Sequence, residues 1–235
     1  MIKGVFLDLG KTVVTNRIIN FKNGLKRVYD FTDKKISFDE YVNIHQKLYQ
    51  VTFDYVRRVD NEMRITDYLI ALNKLSNLES NKTIEELEDE FQLGLVDEEL
   101  VEGIEAFLKF LEENQIPVIA VSNSCISSRA LKKELDNLGI LKYFKKVISS
   151  ADIYIRKPRK EIFEYAIGQL KKITDDYFIK NDEVIYIGND YNCDVIGPKN
   201  IGMRVVWLNH NNEDDHYDLA DAVVSSYQEL ISLLN

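Results

Sequence analysis

The chain has 235 residues and a mass of 27.4 kDa, enough for one large domain or for a core with a smaller insert. Hydrophobic residues make up 45%, which permits a sizeable buried core, and 10 glycines with 3 prolines do not suit a many-turned all-β chain. With 30 Lys and Arg against 39 Asp and Glu the net charge is −9, a surface that repels phosphodiester backbones and anionic lipid, so neither nucleic acid nor membrane is an expected partner. No apolar run reaches the roughly 18 residues of a membrane span, and Met1-Ile2-Lys3 opens a strand rather than a signal peptide. Cys125 and Cys193 make no disulfide framework and read as two reduced thiols in a cytoplasmic protein. Asn81-Lys82-Thr83 spells a glycosylation acceptor that means nothing without a secretory signal.

In chain order, residues 2–7, 117–121, 146–149, 184–187 and 204–208 form short apolar runs rich in Val and Ile, each bounded by Gly, Asn, Asp or Ser. They read as buried parallel strands, with 222–224 as a sixth candidate. Helical spacing marks 101–114, through Ile104, Phe107, Leu108 and Leu111. It also marks 129–138, closed by Gly139, and 161–171 and 227–234. This alternation predicts an α/β fold: a Rossmann-like parallel sheet covered on both faces. From about Thr15 to Val96 no buried strand is expected. That stretch carries helical patterns at 19–29, 38–58, 65–75 and 83–93, with Ser37/Glu40 and Thr83/Glu86 placed as capping boxes. About 80 residues are too many for a structureless loop, so 15–96 is expected to be a helical subdomain inserted into a core of 1–14 and 97–235. Residues 85–90 form an acidic run that reads as a solvated helix face.

Ligands of open parallel sheets bind beyond the carboxyl ends of the strands, so the residues there carry the functional expectation. Strand one is followed by Asp8-Leu9-Gly10-Lys11-Thr12, strand two by Ser122-Asn123-Ser124, strand three by a segment ending in Lys157-Pro158, and strand four by Gly188-Asn189-Asp190 with Asp194 beyond. Gly10-Lys11-Thr12 imitates the end of a P-loop, but Val5 stands where that motif needs its first glycine. Singly, each of these residues reads as a helix cap, a turn residue or a surface charge. Together, an acid, a hydroxyl, a lysine and an acid pair in this order at strand ends are hard to read as chance.

The segments GVFLDLGKT, VIAVSNS, ISSADIYIRKPRKEIFEYA and IYIGNDYNCDVIGPKNIGM resemble, in this order, the four motifs of the haloacid dehalogenase superfamily, most of whose members are phosphatases. The resemblance covers the whole α/β part, and the insert after the first motif is where that family places its commonest cap. It implies Asp8 as nucleophile, Ser122 as a phosphate ligand and Lys157 as a cation beside both. It implies Asp190 and Asp194 as the acids of the fourth motif. Phosphate binding is expected from Ser122, from the backbone near Asn123 and from Lys157. A Mg²⁺ ion is expected on Asp8, the carbonyl of Gly10, Asp190 and Asp194, with Asp190 favoured for direct contact and Asp194 as direct or supporting. The expected substrate is a small phosphorylated metabolite such as a sugar phosphate or nucleotide.

One position departs from that pattern. Phosphatases of the family usually carry a second Asp two residues after the nucleophile, as general acid and then base, and here that residue is Gly10. Positioned acid–base catalysis is worth about 10²–10⁴-fold. The backbone carbonyl survives while the proton shuttle is lost, which leaves three readings. The substrate has a good leaving group, another group or water carries the proton, or the protein is a weak or inactive binding relative. The dehalogenase branch also lacks that Asp, because a halide leaves without a proton. A metal-independent 2-haloacid dehalogenase is therefore the rival enzyme, although Asp190 and Asp194 would then be unneeded like charges near Asp8. In the insert, Arg57, Arg58 and Arg64 are candidates for substrate contact, alongside Tyr49, Phe53 and Tyr55, which at helical spacing also read as plain core. Cys193 has no basic flank to make it a thiolate, and His45, His210 and His216 share no metal spacing.

Overall fold

Alternate residues of the central strands bury on opposite faces of one sheet in the computed structural model, which describes residues 2–210 and 219–234. Val5 and Leu7, Val118 and Ala120, and Ile185 and Ile187 join one apolar cluster. Phe6, Ile119, Val121, Val184 and Tyr186 join the other. This is the period of two that a pleated strand imposes when helices cover both sides.

The strands are β1 (Gly4–Leu7), β2 (Val14–Ile19), β3 (Val96–Leu100), β4 (Val118–Ser122), β5 (Phe144–Ser149), β6 (Val184–Gly188), β7 (Arg204–Leu208) and β8 (Ala222–Val224). Six of them form a parallel sheet in the order β5-β4-β1-β6-β7-β8. The order reverses at β1, which lies between β4 and β6, so a crevice opens beyond the carboxyl ends of those three strands. All five expected strands and the sixth candidate are present.

Helices α1 (Phe21–Asp30), α2 (Phe38–Arg58), α3 (Ile65–Leu75) and α4 (Ile84–Leu95) follow β2. α5 (Ile104–Glu113), α6 (Ser128–Asn137), α7 (Ser150–Ile153), α8 (Lys160–Thr174), α9 (Gly197–Lys199) and α10 (Tyr227–Leu234) lie among the strands of the sheet. Both capping boxes form. Ser37 N–H donates to Glu40 at 2.9 Å and Glu40 N–H to Ser37 Oγ at 3.3 Å. Thr83 and Glu86 make the same reciprocal pair at the start of α4. Gly139 takes φ +75° after α6, as expected of a glycine that ends a helix.

No buried strand is expected between Thr15 and Val96, and the structure adds a strand pair at the two ends of that stretch. β2 and β3 pair antiparallel, with a bulge between Asn16 and Ile18, and form a ribbon from which α1–α4 emerge. Sequence pattern misses it because a two-stranded ribbon buries little: Ile19 is 66% exposed and β3 reads Val-Asp-Glu-Glu-Leu. Helix α1 therefore starts at Phe21, capped by the Asn20 side chain, and α5 starts at Ile104 behind Gly103. Among the described residues no helix is long and apolar enough to cross a membrane.

Candidate active site

Lys157 organises the strand-end crevice. An ammonium has three N–H donors and no acceptor. Its Nζ donates to Asp8 Oδ1 at 2.7 Å, to Asp194 Oδ1 at 2.7 Å and to the Tyr186 hydroxyl at 2.8 Å. The residue is 3% exposed, Asp194 1% and Asp8 8%. Burial alone depresses a lysine pKa, but the Asp194 and Asp8 carboxylates outweigh it and hold Lys157 well above its ordinary value. Burial, then Asp194, keeps Tyr186 a neutral phenol, with its pKa well above the usual range. Its hydroxyl lies 3.2 Å from both Asp194 Oδ1 and the Val121 carbonyl oxygen.

Each partner is placed by backbone. Asp8 leaves β1 with its N–H donating to the Ile187 carbonyl at 3.0 Å. The Leu9 carbonyl then accepts from the N–H groups of Thr12, Val13 and Val14, closing a tight turn in which Lys11 takes φ +60°. Asn123 clamps the Lys157 peptide: its Oδ1 accepts from Lys157 N–H at 2.8 Å and its Nδ2 donates to Lys157 C=O at 3.0 Å. The Asn123 side chain is thereby committed to the Lys157 peptide. Ser122 ends β4, is buried, and lines the cleft.

A single turn of π-helix, Tyr191–Ile196, carries the second acid of the fourth motif and follows the first, the kind of insertion that recurs at functional sites. Asp190 caps that turn, accepting from Cys193 N–H at 2.8 Å, and is otherwise exposed on the cleft wall. Asp194 points inward. Its Oδ1 takes Lys157, and its Oδ2 accepts from Asp190 N–H at 3.0 Å. The approach requires Gly188, where a Cβ would lie 2.4 Å from Asp194 Cγ. Of the two acids, Asp190 is the exposed one, and Asp194 is engaged on both oxygens.

The cleft has a volume of about 460 Å³. Asp8, Gly10, Ser122, Asn123, Lys157, Asp190 and Asp194 all line it, so the strand-end candidates are brought together. Among the described residues no three His, Cys, Asp or Glu side chains converge as a ready-made metal cluster. Mg²⁺ does not require one, since it is commonly held by one or two carboxylates with several waters. Asp8, Asp190 and the Gly10 carbonyl fit that hard-oxygen donor set.

The arginine candidates fare differently. Arg64 donates from Nε to the Ala151 carbonyl and stacks on Tyr154 at 5.1 Å, away from the cleft wall. Arg58 is exposed and also absent from that wall, while the side chains of Arg57 and Tyr55 lie outside the described residues. Tyr49 and Phe53 stack at 4.5 Å and Phe53 packs on Tyr68, which makes them core of the insert. His45 joins that aromatic cluster, bonded to the Tyr68 hydroxyl at 2.6 Å, and His216 lies outside the described residues. Burial, followed by Asp190, pushes the Cys193 thiol up to about 12, so it is no thiolate.

Four residues of the site were missed by the sequence pattern. Arg156, beside Lys157, reaches the cleft and pairs with buried Glu62 of the insert, which also accepts from Ser150 Oγ at 2.7 Å. Tyr186 looks like one more apolar strand residue. Gln92 of α4 and Glu134 of α6 hydrogen-bond to each other at the cleft wall. Glu134 alone left a signal: it shares the helix face of Ala130, Leu131 and Leu138, where an acid is out of place.

A family model for haloacid dehalogenase-like hydrolases matches residues 2–202. The chain belongs to that family. Among similar curated proteins is the pyrimidine 5'-nucleotidase YjjG of Escherichia coli K12, 30% identical over 43% of this chain and 42% of that protein. Another is the (S)-2-haloacid dehalogenase 2 of Pseudomonas sp. CBS-3, 25% identical over 56% of this chain and 54% of its own length. These matches span about half of each relative. A solved structure of a HAD phosphatase from Thermococcus onnurineus superposes with a TM-score of 0.63 at 23% identity, covering 100% of this chain and 98% of its own, a likeness of fold. The haloacid dehalogenase-like hydrolases thus supply this chain with both phosphatase and dehalogenase relatives.

Proposed function

We propose that this protein is a Mg²⁺-dependent phosphohydrolase acting on a small soluble phosphomonoester in the cytoplasm. The observation that carries the reading is Asp8, ion-paired to a saturated Lys157 and opening on a cleft that also presents Ser122 and an exposed Asp190. Asp8 attacks phosphorus, the bond to the leaving oxygen breaks, and an aspartyl phosphate forms. Water then cleaves the acyl phosphate, returning Asp8 and releasing inorganic phosphate. Lys157 orients Asp8 and offsets its charge, while Ser122 and the backbone N–H of Asn123 hold phosphoryl oxygens. Asp8, Asp190 and the Gly10 carbonyl would hold the Mg²⁺, with Asp194 keeping the lysine in place. When bound, the ion neutralises charge between Asp8 and the phosphate dianion. No carboxyl follows Asp8 at Gly10, so the leaving oxygen takes its proton from water, which favours esters with good leaving groups.

The test is phosphate release with Mg²⁺ across a panel of phosphomonoesters, wild type against Asp8→Asn. The expected loss is on the order of 10⁴-fold or more, the scale seen when a nucleophile is removed. Release that persists in Asp8→Asn would overturn the assignment. Gly10 specifically favours a second reading, a 2-haloacid dehalogenase, for which halide release in the presence of a chelator is the discriminating measurement. The exposed Asp190, a carboxylate that chemistry does not need, weighs against it.

A further inference from the structure

The insert touches the core through the segment that joins α2 to α3. Asn61 bridges to Ile155 in antiparallel fashion, Glu62 N–H donates to the Tyr154 carbonyl at 3.1 Å, and Arg156 N–H donates to the Asp60 carbonyl at 3.1 Å. Residues 60–62 therefore lie alongside 154–156, the three residues before Lys157. From there the Glu62 side chain enters the interior and is 6% exposed. Its Oε2 accepts from Ser150 Oγ at 2.7 Å and from the Arg156 guanidinium. Ser150 Oγ in turn accepts from Ser124 N–H at 2.9 Å. One carboxylate oxygen of the insert thus reaches both loops that build the phosphate end of the cleft. Through Ser150 it reaches the loop after β4, which carries Ser122 and Asn123. Through Arg156 it reaches the residue bonded to Lys157. Docking alone does not call for this arrangement, because a buried ion pair costs several kcal/mol to desolvate and apolar side chains of the same volume pack at least as well. What the charge adds is direction, since charged hydrogen bonds are short and fix their donors in place.

We propose that Glu62 is a positioning residue of the reaction: from the insert it holds Ser150 and Arg156, and through them sets the Ser122–Ser124 loop and Lys157 against Asp8. This rests on the phosphohydrolase reading. Glu62 is absent from the cleft wall, so it acts through its partners and not on the substrate. The demand on those partners is strict, because a misplacement of about 1 Å at a reacting centre costs on the order of 10²-fold in rate. The insert then does more than line the cleft: it supplies the carboxylate that orders the phosphate end.

The experiment measures phosphate release from p-nitrophenyl phosphate with Mg²⁺ by the full-length wild type, Glu62→Gln, Arg156→Gln, their double variant and Tyr154→Phe. Denaturant unfolding gives the folded fraction of each, so that kcat is read per folded enzyme. Tyr154→Phe is the docking control, since it removes the hydrogen bond from the Tyr154 hydroxyl to Asp67 of the insert at 3.0 Å and leaves Glu62 its partners. Glu62→Gln should lower kcat about tenfold or more with KM within about threefold of wild type. The double variant should lose less than the product of the single losses, because both residues act along one path. Tyr154→Phe should stay within about twofold of wild type in kcat. A Glu62→Gln kcat within about twofold of wild type, whatever its unfolding midpoint, would reduce Glu62 to a docking contact and overturn the proposal. So would a rise in KM alone, fully multiplicative losses in the double variant, or an equal loss in Tyr154→Phe. Should Glu62→Gln fail to fold, Ser150→Ala keeps the Arg156 pair and cuts only the branch to Ser124. It should lower kcat about threefold or more, and an unchanged kcat overturns the proposal. The two readings separate. A wild type that releases halide from 2-haloacids and no phosphate sinks the phosphohydrolase reading, and the same variants then test Glu62 on halide release. A wild type with no turnover of either kind overturns both.

Discussion

At the strand-end side of the cleft every N–H of the Lys157 ammonium has an acceptor, and both Asp194 oxygens have donors. At the helix side Glu98 Oε2 has no donor among the described residues, and Glu134 is tied to Gln92 across the junction of α6 and the insert. The first region is rigid because each group is over-determined by buried partners, which suits chemistry that tolerates little misplacement. The second is less fully bonded. The two sides also differ in origin: the charged cluster hangs from the sheet, and the opposite wall from the insert, the ribbon and α6.

The largest effect should come from breaking the first region. Lys157→Met keeps the length but leaves Asp8 and Asp194 buried without their cation, which should cost about 3–5 kcal/mol of stability and abolish turnover. Denaturant unfolding measures the former, and an unchanged midpoint would mean the cluster is no electrostatic keystone. Gly188→Ala forces a Cβ against Asp194 and should cost roughly 1–3 kcal/mol while loosening Lys157, seen as lower kcat at unchanged fold.

Gly10→Asp tests what the first region lacks. Nothing lies within 4 Å of a Cβ at Gly10, so a side chain starts there without a clash, and hydrolysis of esters with poor leaving groups should rise by about 10²-fold. No gain would mean that the proton is supplied elsewhere. The smallest effect belongs to the second region and is read by pH. Burial raises Glu134 from 4.5 to about 7, so its neutral form is the one the fold favours. That contribution is fully present below about pH 4.5 and is lost as pH rises through about 7. Glu134→Gln should remove this slope, on the order of 1–3 kcal/mol, from thermal unfolding measured between those limits. A slope that survives the substitution belongs to another group.

Much of the fold was legible in local pattern. The bounds of α2, α3 and α10 coincide with the helical spacing of 38–58, 65–75 and 227–234, and each expected strand of the sheet is present. The β2–β3 ribbon was not, because exposed strands show no burial period. Asp8, Ser122, Lys157, Asp190 and Asp194 were legible because strand ends in such a sheet are where ligands bind. Arg156, Tyr186 and Gln92 were not, since nothing local sets them apart from surface or core residues, and Glu134 left only its place on an apolar helix face.

The sequence by itself determined the alternation of strand and helix, the long helical interruption and which polar groups stand at the strand ends, all of which are properties of short stretches. Only the tertiary structure decided how those groups divide their work. Lys157 meets Asp8 across 149 positions of chain and Asp194 across 37, and Asp190 is exposed while Asp194 is buried just four residues on. Such pairings follow from the order of strands in the sheet and from the missing Cβ at Gly188, and no local propensity encodes a contact between segments that far apart.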